Sequence, residues 1–259
     1  MQKPYILSFS NQKGGVGKTT SCVSIASAAA DMNLRTLLVD MDPQGNSTSG
    51  VGVQKKNISH SVYDVLLGEC KAEDAIVKTE FGSLSLIPST LNLAGAEFEL
   101  FDIESRESCL KNALSEIYDS FDLIVIDCPP SLSMLTVNAL TASDGVVIPM
   151  QAEYYALEGL TQLMMTIRKV KEHYNPDLSV LGILITMYNG RFNLSQAVIA
   201  EIKKYYSDKL LKTTIPRSVK LSEAPGFGCP IGYHDKYSKA AAAYKTATKE
   251  ILERIGIVV

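Results

Sequence analysis

Short runs of apolar, often β-branched residues recur along the chain. They alternate with longer stretches in which apolar positions return every three to four residues. Tyr5–Phe9, Thr36–Asp40, Leu84–Pro88, Asp122–Asp127, Gly145–Pro149 and Val180–Ile185 have the length and near-continuous apolarity of strands buried on both faces. Thr19–Ala30, Leu91–Leu100, Ser105–Tyr118, Met134–Leu140, Leu157–His173 and Leu194–Tyr206 have helical spacing, and the Ala-rich Lys236–Ile255 predicts a last helix that packs back on the body. Strands that alternate with helices need right-handed crossovers. The expectation is an α/β fold, a mostly parallel twisted sheet flanked by helices, with one domain over residues 1–259.

Composition narrows the class. With 259 residues, 46% hydrophobic and 20% charged, the chain can bury an ordinary core, which excludes wholesale disorder. No apolar run approaches the roughly 18 to 20 residues of a membrane-spanning helix. Met1-Gln2-Lys3-Pro4 leads straight into the first strand rather than into a signal peptide, so a cytoplasmic location is expected. The five cysteines are scattered and never spaced C-x-x-C, which argues for reduced thiols rather than a disulfide framework or a structural zinc site. The net charge is only −3, but from Arg191 onward 12 basic residues face 6 acidic ones, a local +6 that leaves −9 over residues 1–190. A polyanion-binding face and a solvated helix surface both fit that asymmetry.

The chemistry concentrates behind the first strand. Asn11-Gln12-Lys13-Gly14-Gly15-Val16-Gly17-Lys18-Thr19-Thr20 joins that strand to a helix of small residues. In this context glycines let backbone N–H groups converge on phosphate oxygens at a helix N-terminus that already favours anions. Residues 13–20 are therefore expected to hold a nucleotide, with Lys18 at the β- and γ-phosphates and the Thr19 hydroxyl on Mg²⁺. The usual loop begins with glycine five residues before Gly17; here that position is Gln12, and a lysine, Lys13, follows it. Two acidic strand ends add to the site. Asp40-Met-Asp42-Pro43-Gln44-Gly45-Asn46 places two carboxylates on one face of an extended segment, one able to orient water and the other to support a metal shell. Leu123-Ile-Val-Ile-Asp127-Cys128-Pro129-Pro130 ends an apolar strand in a carboxylate, where Asp127 is expected to hold Mg²⁺ through water.

The K-G-G-x-G-K-T loop, the D-x-D-P-Q-G-N run and the second acidic strand end resemble the ParA/MinD group of deviant Walker-A ATPases, and the resemblance extends over nearly the whole chain. It implies an ATPase with ATP and Mg²⁺ as ligands and slow intrinsic turnover. It assigns water positioning to Asp42, which joins Thr19 and Asp127 around the metal. It makes Lys13 a signature lysine that crosses an ATP-dependent homodimer to the other subunit's phosphates, as an arginine finger does. Such fingers are worth about 10³ to 10⁵ in rate. The nitrogenase iron protein shares this fold group and carries a cluster between subunits, but no second cysteine is obviously placed to join Cys128, so a cluster-free protein with a small buried residue there is expected.

The C-terminal third decides among members of the group. MinD-like proteins end in a basic amphipathic helix that lies on the membrane, whereas Glu250-Ile-Leu-Glu-Arg-Ile-Gly-Ile-Val-Val259 carries two glutamates and one arginine, so no membrane partner is expected. With the first strand starting at Tyr5, no helix-turn-helix domain is expected ahead of it. The match is to the short chromosomal, Soj-like type. In that type two segments, Thr186–Ser195 and Thr214–Pro225, supply basic residues for sequence-independent binding of double-stranded DNA; these are Arg191 and Lys220 here. Asn189, Pro216 and Arg217 fall where the family wraps adenine. The implied partner is a ParB-type centromere-binding protein, the implied role is chromosome or plasmid partitioning, and the implied location is the nucleoid. A MinD-like positioning ATPase and a metabolic or assembly ATPase of the same fold are the alternatives.

Overall fold

The computed structural model describes residues 3–154, 156–190 and 192–258. Among these described residues eight strands run β1 (Tyr5–Phe9), β2 (Thr36–Asp40), β3 (Val77–Lys78), β4 (Leu84–Ile87), β5 (Leu123–Asp127), β6 (Gly145–Gln151), β7 (Ser179–Tyr188) and β8 (Leu210–Pro216). The α-helices are α1 (Lys18–Asp31), α2 (Asn46–Gly50), α3 (Val62–Leu67), α4 (Ala96–Glu99), α5 (Cys109–Ser115), α6 (Met134–Ala142), α7 (Ala156–His173), α8 (Asn193–Tyr206), α9 (Val219–Glu223), α10 (Ile231–His234) and α11 (Lys239–Arg254).

One sheet holds all eight strands in the order β3-β4-β2-β5-β1-β6-β7-β8. Every pair is parallel except β3 with β4. The alternation of side chains along each strand divides the core into layers. Leu7 and Phe9 pack with Leu38, Val125 and the helices α1 and α11. Ile6 joins Leu37, Val39, Ile124 and Ile126 against α3, α5 and α6 on the other face. A third cluster joins Val146, Ile148, Ile183 and Ile185 to α7 and α8.

All six strands read from the pattern are present, and the sheet is mostly parallel as expected. Two further strands flank them. In β8 the apolar run is broken by Lys212, Thr213 and Thr214, a composition suited to the sheet edge that it occupies, and Pro216 closes it. Strand β3 is only two residues long. The helix expected over Leu91–Leu100 is interrupted at Gly95, leaving 3₁₀ turns around the single turn of α4. The stretch Ser105–Tyr118 likewise contracts to α5 between two 3₁₀ turns.

The last helix covers the edge strand. Ser238 caps α11 by accepting the Ala241 N–H at 3.1 Å. Its carboxylate at Glu250 accepts the N–H groups of Lys212 (2.7 Å) and Thr213 (3.0 Å), donors that an edge strand otherwise leaves unpaired. Arg254 donates to the carbonyls of Leu181 (2.9 Å) and Leu210 (3.0 Å), so α11 grips both β7 and β8. On its inner face Tyr244, fully enclosed, shares a 3.0 Å hydrogen bond with Ser21, one turn into α1. The small side chains of α1 allow that close approach.

Candidate nucleotide site

Sheet order brings the expected residues together. Strand β1 lies between β5 and β6, and register pairs Phe9 with Asp127 and Asp127 with Asp40 across three adjacent strands. The loop that leaves β1 and the acidic ends of β2 and β5 therefore share one edge of the sheet, the carboxyl ends of its strands, where ligands bind in open α/β folds.

Between Ser10 and Gly17 the chain turns back over this edge. Gly15 and Gly17 have φ of 72° and 84°, a left-handed conformation that residues with a Cβ rarely adopt. Alternation of such residues with right-handed ones turns successive N–H groups to one side and makes an anion-binding concavity. Asn11 braces the start of the loop: its Oδ1 accepts the Lys13 N–H (2.9 Å) and its Nδ2 donates to the Pro149 carbonyl (2.8 Å). Helix α1 begins at Lys18 with Gly17 as its N-cap, so its first N–H groups face the same concavity.

The two lysines of the loop have different surroundings. Lys18 is buried, and its ammonium donates to the Lys13 carbonyl at 3.1 Å. Burial lowers its pKa, and Asp127, Cys128 and Asp42 oppose that effect. Lys13 instead carries its side chain to the surface, where Nζ lies 2.6 Å from Oε2 of Glu153.

The carboxylates are built in by the segment after β2. Asp40 is enclosed and accepts both the N–H and the hydroxyl of Thr48 at 2.7 Å. Asp42 accepts the Gln44 N–H at 2.9 Å through Oδ1. Asp127 is enclosed and its Oδ2 accepts the Ser47 hydroxyl at 2.8 Å, with Thr19 as a second hydrogen-bonding partner. Its Oδ1 is buried with no hydrogen-bond partner among the described residues. Burial, then the neighbouring Asp40, raises the Asp127 pKa; burial does the same to Asp40 against the pull of its Thr48 bonds. The neighbouring Lys18 charge still leaves Oδ1 of Asp127 without a hydrogen-bond partner among the described residues; a bare carboxylate oxygen next to a threonine hydroxyl suits a hard, water-carrying cation such as magnesium. The residues fit the ion. Cys128 is buried and its thiol is raised by burial and by Asp127, so it stays protonated and packs as a small apolar group.

Strands β7 and β8 supply the flank. Their register sets Tyr188 beside Pro216, so Asn189 and Arg217 leave adjacent strand ends together. A cleft of about 450 Å³ between the loop and this flank is lined by Gly17, Thr20, Thr186, Met187, Pro216 and Arg217. Arg217 also lines the next cavity, where it joins Asn189, Gln151 and Glu153. The expected adenine-side residues thus sit beside the loop. Lys220, on α9, pairs with Glu223 at 3.0 Å and is half exposed. Arg191 lies outside the described residues.

Several site residues escape a reading of the sequence alone. Ser47 and Thr48 follow the D-x-D-P-Q-G-N run directly; Thr48 locks its Asp40 carboxylate and Ser47 reaches across to Asp127 at the end of β5, roles that a hydroxyl pair just beyond an acidic strand end signals. Gln151 at the end of β6, Glu153 just beyond it and Thr186 on β7 reach the loop and have no local signature.

Comparisons with known proteins agree with this geometry. A family model described as an AAA domain matches residues 5–180. The sporulation initiation inhibitor protein Soj of Bacillus subtilis is 52% identical over 246 residues, covering 95% of this chain and 97% of the relative. The chromosome-partitioning ATPase Soj of Treponema pallidum is 46% identical over 250 residues, 96% of this chain and 98% of that protein. A crystal structure described as cobyrinic acid a,c-diamide synthase from Mycobacterium smegmatis, with bound ATP analogue and magnesium, superposes with a TM-score of 0.86 at 38% identity, covering 98% of this chain and 96% of that one. With a phosphate loop, two acidic strand ends and near-full-length relatives of this kind, the chain belongs to the ParA/Soj family of chromosome-partitioning ATPases.

Proposed function

We propose that this ATPase is a partitioning switch: it binds ATP and Mg²⁺, pairs into a homodimer, binds double-stranded DNA without sequence preference, and releases it after hydrolysis stimulated by a ParB-type partner. The observation that carries the reading is the division of labour between Lys18, buried under its own loop, and Lys13, whose ammonium stands outside it beside Glu153. One lysine serves the chain's own phosphates, with the N–H groups of residues 14–20. The other is available to a second subunit's.

The chain's own groups account for the remaining steps. Thr19, Asp127 and Asp42 would hold magnesium, which when bound neutralises phosphate charge. Asp42, held by the Gln44 N–H, orients the attacking water. Asn189, Pro216 and Arg217 flank the base. Lys220 and Arg191 contact DNA phosphates on each subunit, so pairing doubles a weak contact set. Each neutralised phosphate adds about 0.9 to the salt slope of binding, and two to four contacts per monomer are too few at physiological salt. ATP then controls DNA affinity through avidity, with no large rearrangement inside the subunit.

A cytoplasmic, nucleoid-associated location follows from this reading. The membrane alternative is disfavoured by α11: Ala240, Ala241, Tyr244, Ala247, Ile251 and Leu252, its apolar face, are buried against the body and not offered to a lipid surface. Among the described residues no helix is long and apolar enough to cross a membrane.

The test uses Asp42→Ala so that turnover does not blur the state. Molecular mass by light scattering should double with ATP and stay single with ADP, and mobility shift on nonspecific duplex should appear only with ATP. Equal DNA affinity with and without ATP would sink the proposal; retention on liposomes instead would favour the membrane-positioning alternative.

A further inference from the structure

A loop that turns its N–H groups toward a bound anion turns its carbonyls away, and each of those oxygens then needs a donor behind the loop. Three such donors are present among the described residues. Lys18 Nζ reaches the Lys13 carbonyl at 3.1 Å. The Thr186 hydroxyl donates to the Val16 carbonyl at 2.7 Å, and Gln151 Nε2 donates to the Gly15 carbonyl at 3.1 Å. The lysine belongs to the loop and has phosphates to serve. The other two come from different strands, β7 and β6, and are separated from their acceptors by 170 and 136 residues.

We infer that Thr186 and Gln151 are positioning residues for nucleotide binding: by holding the carbonyls of Val16 and Gly15 from behind, they fix the orientation of the N–H groups that grip the phosphates. Thr186 is the stronger of the two. It is buried, its acceptor residue Val16 is fully enclosed, and its methyl-bearing side lies 3.7 Å from where a Cβ at Gly17 would stand. Gln151 is half-buried and its amide also meets Met187 Sδ at 2.9 Å. Met187 has a φ of 50°, the left-handed region, so the end of β7 is bent where Thr186 and Met187 both turn to the cleft beside Arg217. The same strand end therefore touches the base side of the cleft and the back of the phosphate loop. This inference rests on the reading that the loop over residues 11–20 holds the nucleotide's phosphates.

The test compares Thr186→Val, which keeps the branched shape and loses the donor, with Thr186→Ser, which keeps the donor, and with Gln151→Leu. Dissociation constants for ADP and ATP are measured by calorimetry at a temperature where each variant is folded, alongside KM, kcat and the unfolding midpoint. Loss of one buried hydrogen bond predicts about a tenfold weaker binding of both nucleotides and a matching rise in KM for Thr186→Val, with kcat changed less than about threefold. Thr186→Ser should return binding to within about twofold of the parent, and Gln151→Leu should weaken it about threefold. A merely structural role would lower the unfolding midpoint and leave the dissociation constants unchanged, which overturns the inference; so does a Thr186→Ser variant as weak as Thr186→Val. If Thr186→Val fails to fold, Gln151→Leu decides, and parental affinity there overturns it. Lys18→Ala separates the two levels. If that variant still binds nucleotide normally, the phosphate-loop reading itself falls; if it loses binding while Thr186→Val keeps it, only the positioning role falls.

Discussion

Lys13 Nζ and Glu153 Oε2 stand 2.6 Å apart on the surface, both side chains about half exposed, in the one chain. An exposed pair of this kind is worth at most about 1 kcal/mol. On the proposed dimer reading it is a resting place that a second subunit's triphosphate would outcompete, since a desolvated phosphate cluster attracts an ammonium far more strongly than a hydrated carboxylate does.

Removing that ammonium should separate binding from turnover. Lys13→Ala is expected to keep ATP, because Lys18 and the loop N–H groups remain, and to lose ATP-dependent pairing together with a factor of about 10³ or more in hydrolysis. Equilibrium nucleotide binding and sedimentation velocity on the same sample check it. A variant that dimerises and hydrolyses like the parent would remove the trans role of Lys13.

Gly14 offers a complementary probe. It has no left-handed φ, and a Cβ built there meets nothing within 4 Å in its own chain. Gly14→Val should accordingly fold and bind ATP within about threefold of the parent, since it costs no close contact. It should stay monomeric with ATP, because the added bulk projects toward whatever faces the loop. ATP-loaded dimers of normal affinity in a sedimentation experiment would show that this side of the loop faces solvent.

The proposed DNA contacts make a charge prediction. Lys220 is tied to Glu223 at 3.0 Å, and His234 approaches the same carboxylate at 3.5 Å. Arg191→Glu with Lys220→Glu should abolish ATP-dependent DNA retention while leaving ATP-dependent dimers. Glu223→Gln should raise DNA affinity modestly by freeing Lys220, and steepen the salt dependence by up to about 0.9 per freed charge in each subunit. Titrations at several salt concentrations read both.

Acid stability should depend on a second ion pair. The Asp122 carboxylate takes the Arg35 backbone N–H at 2.8 Å and its Nη2 at 2.7 Å, joining the start of β2 to the start of β5. Those bonds hold Asp122 below its ordinary 3.8. A depressed carboxylate contributes stability that is complete above the unfolded value and disappears as pH falls through the folded one. Asp122→Asn should thus lower the unfolding midpoint at pH 7, with the gap to the parent closing below pH 3.8. A constant gap across the acid range would mean that the pair contributes through packing alone.

Much of this molecule is written locally. The phosphate loop, the acidic ends at Asp42 and Asp127, and six of the eight strands could be read because each depends on contiguous residues: a strand buried on both faces is an apolar run, and an anion cradle needs glycines at fixed offsets beside a helix start. Strand β8 could not, since its Lys212–Thr214 stretch is half solvent-facing and becomes a strand only by pairing with β7 and accepting Glu250 as a cover. The helix expected at Leu91–Leu100 shows the converse, a periodic stretch that packing around Gly95 broke into single turns.

The residues of the loop and the succession of six strands are legible in contiguous stretches of chain. Which residues stand behind that loop is settled by the folded sheet. Thr186, Gln151 and Glu153 meet residues 13–16 solely because β6 and β7 line up beside β1, and sheet register is settled by side chains from the whole chain rather than by any local pattern.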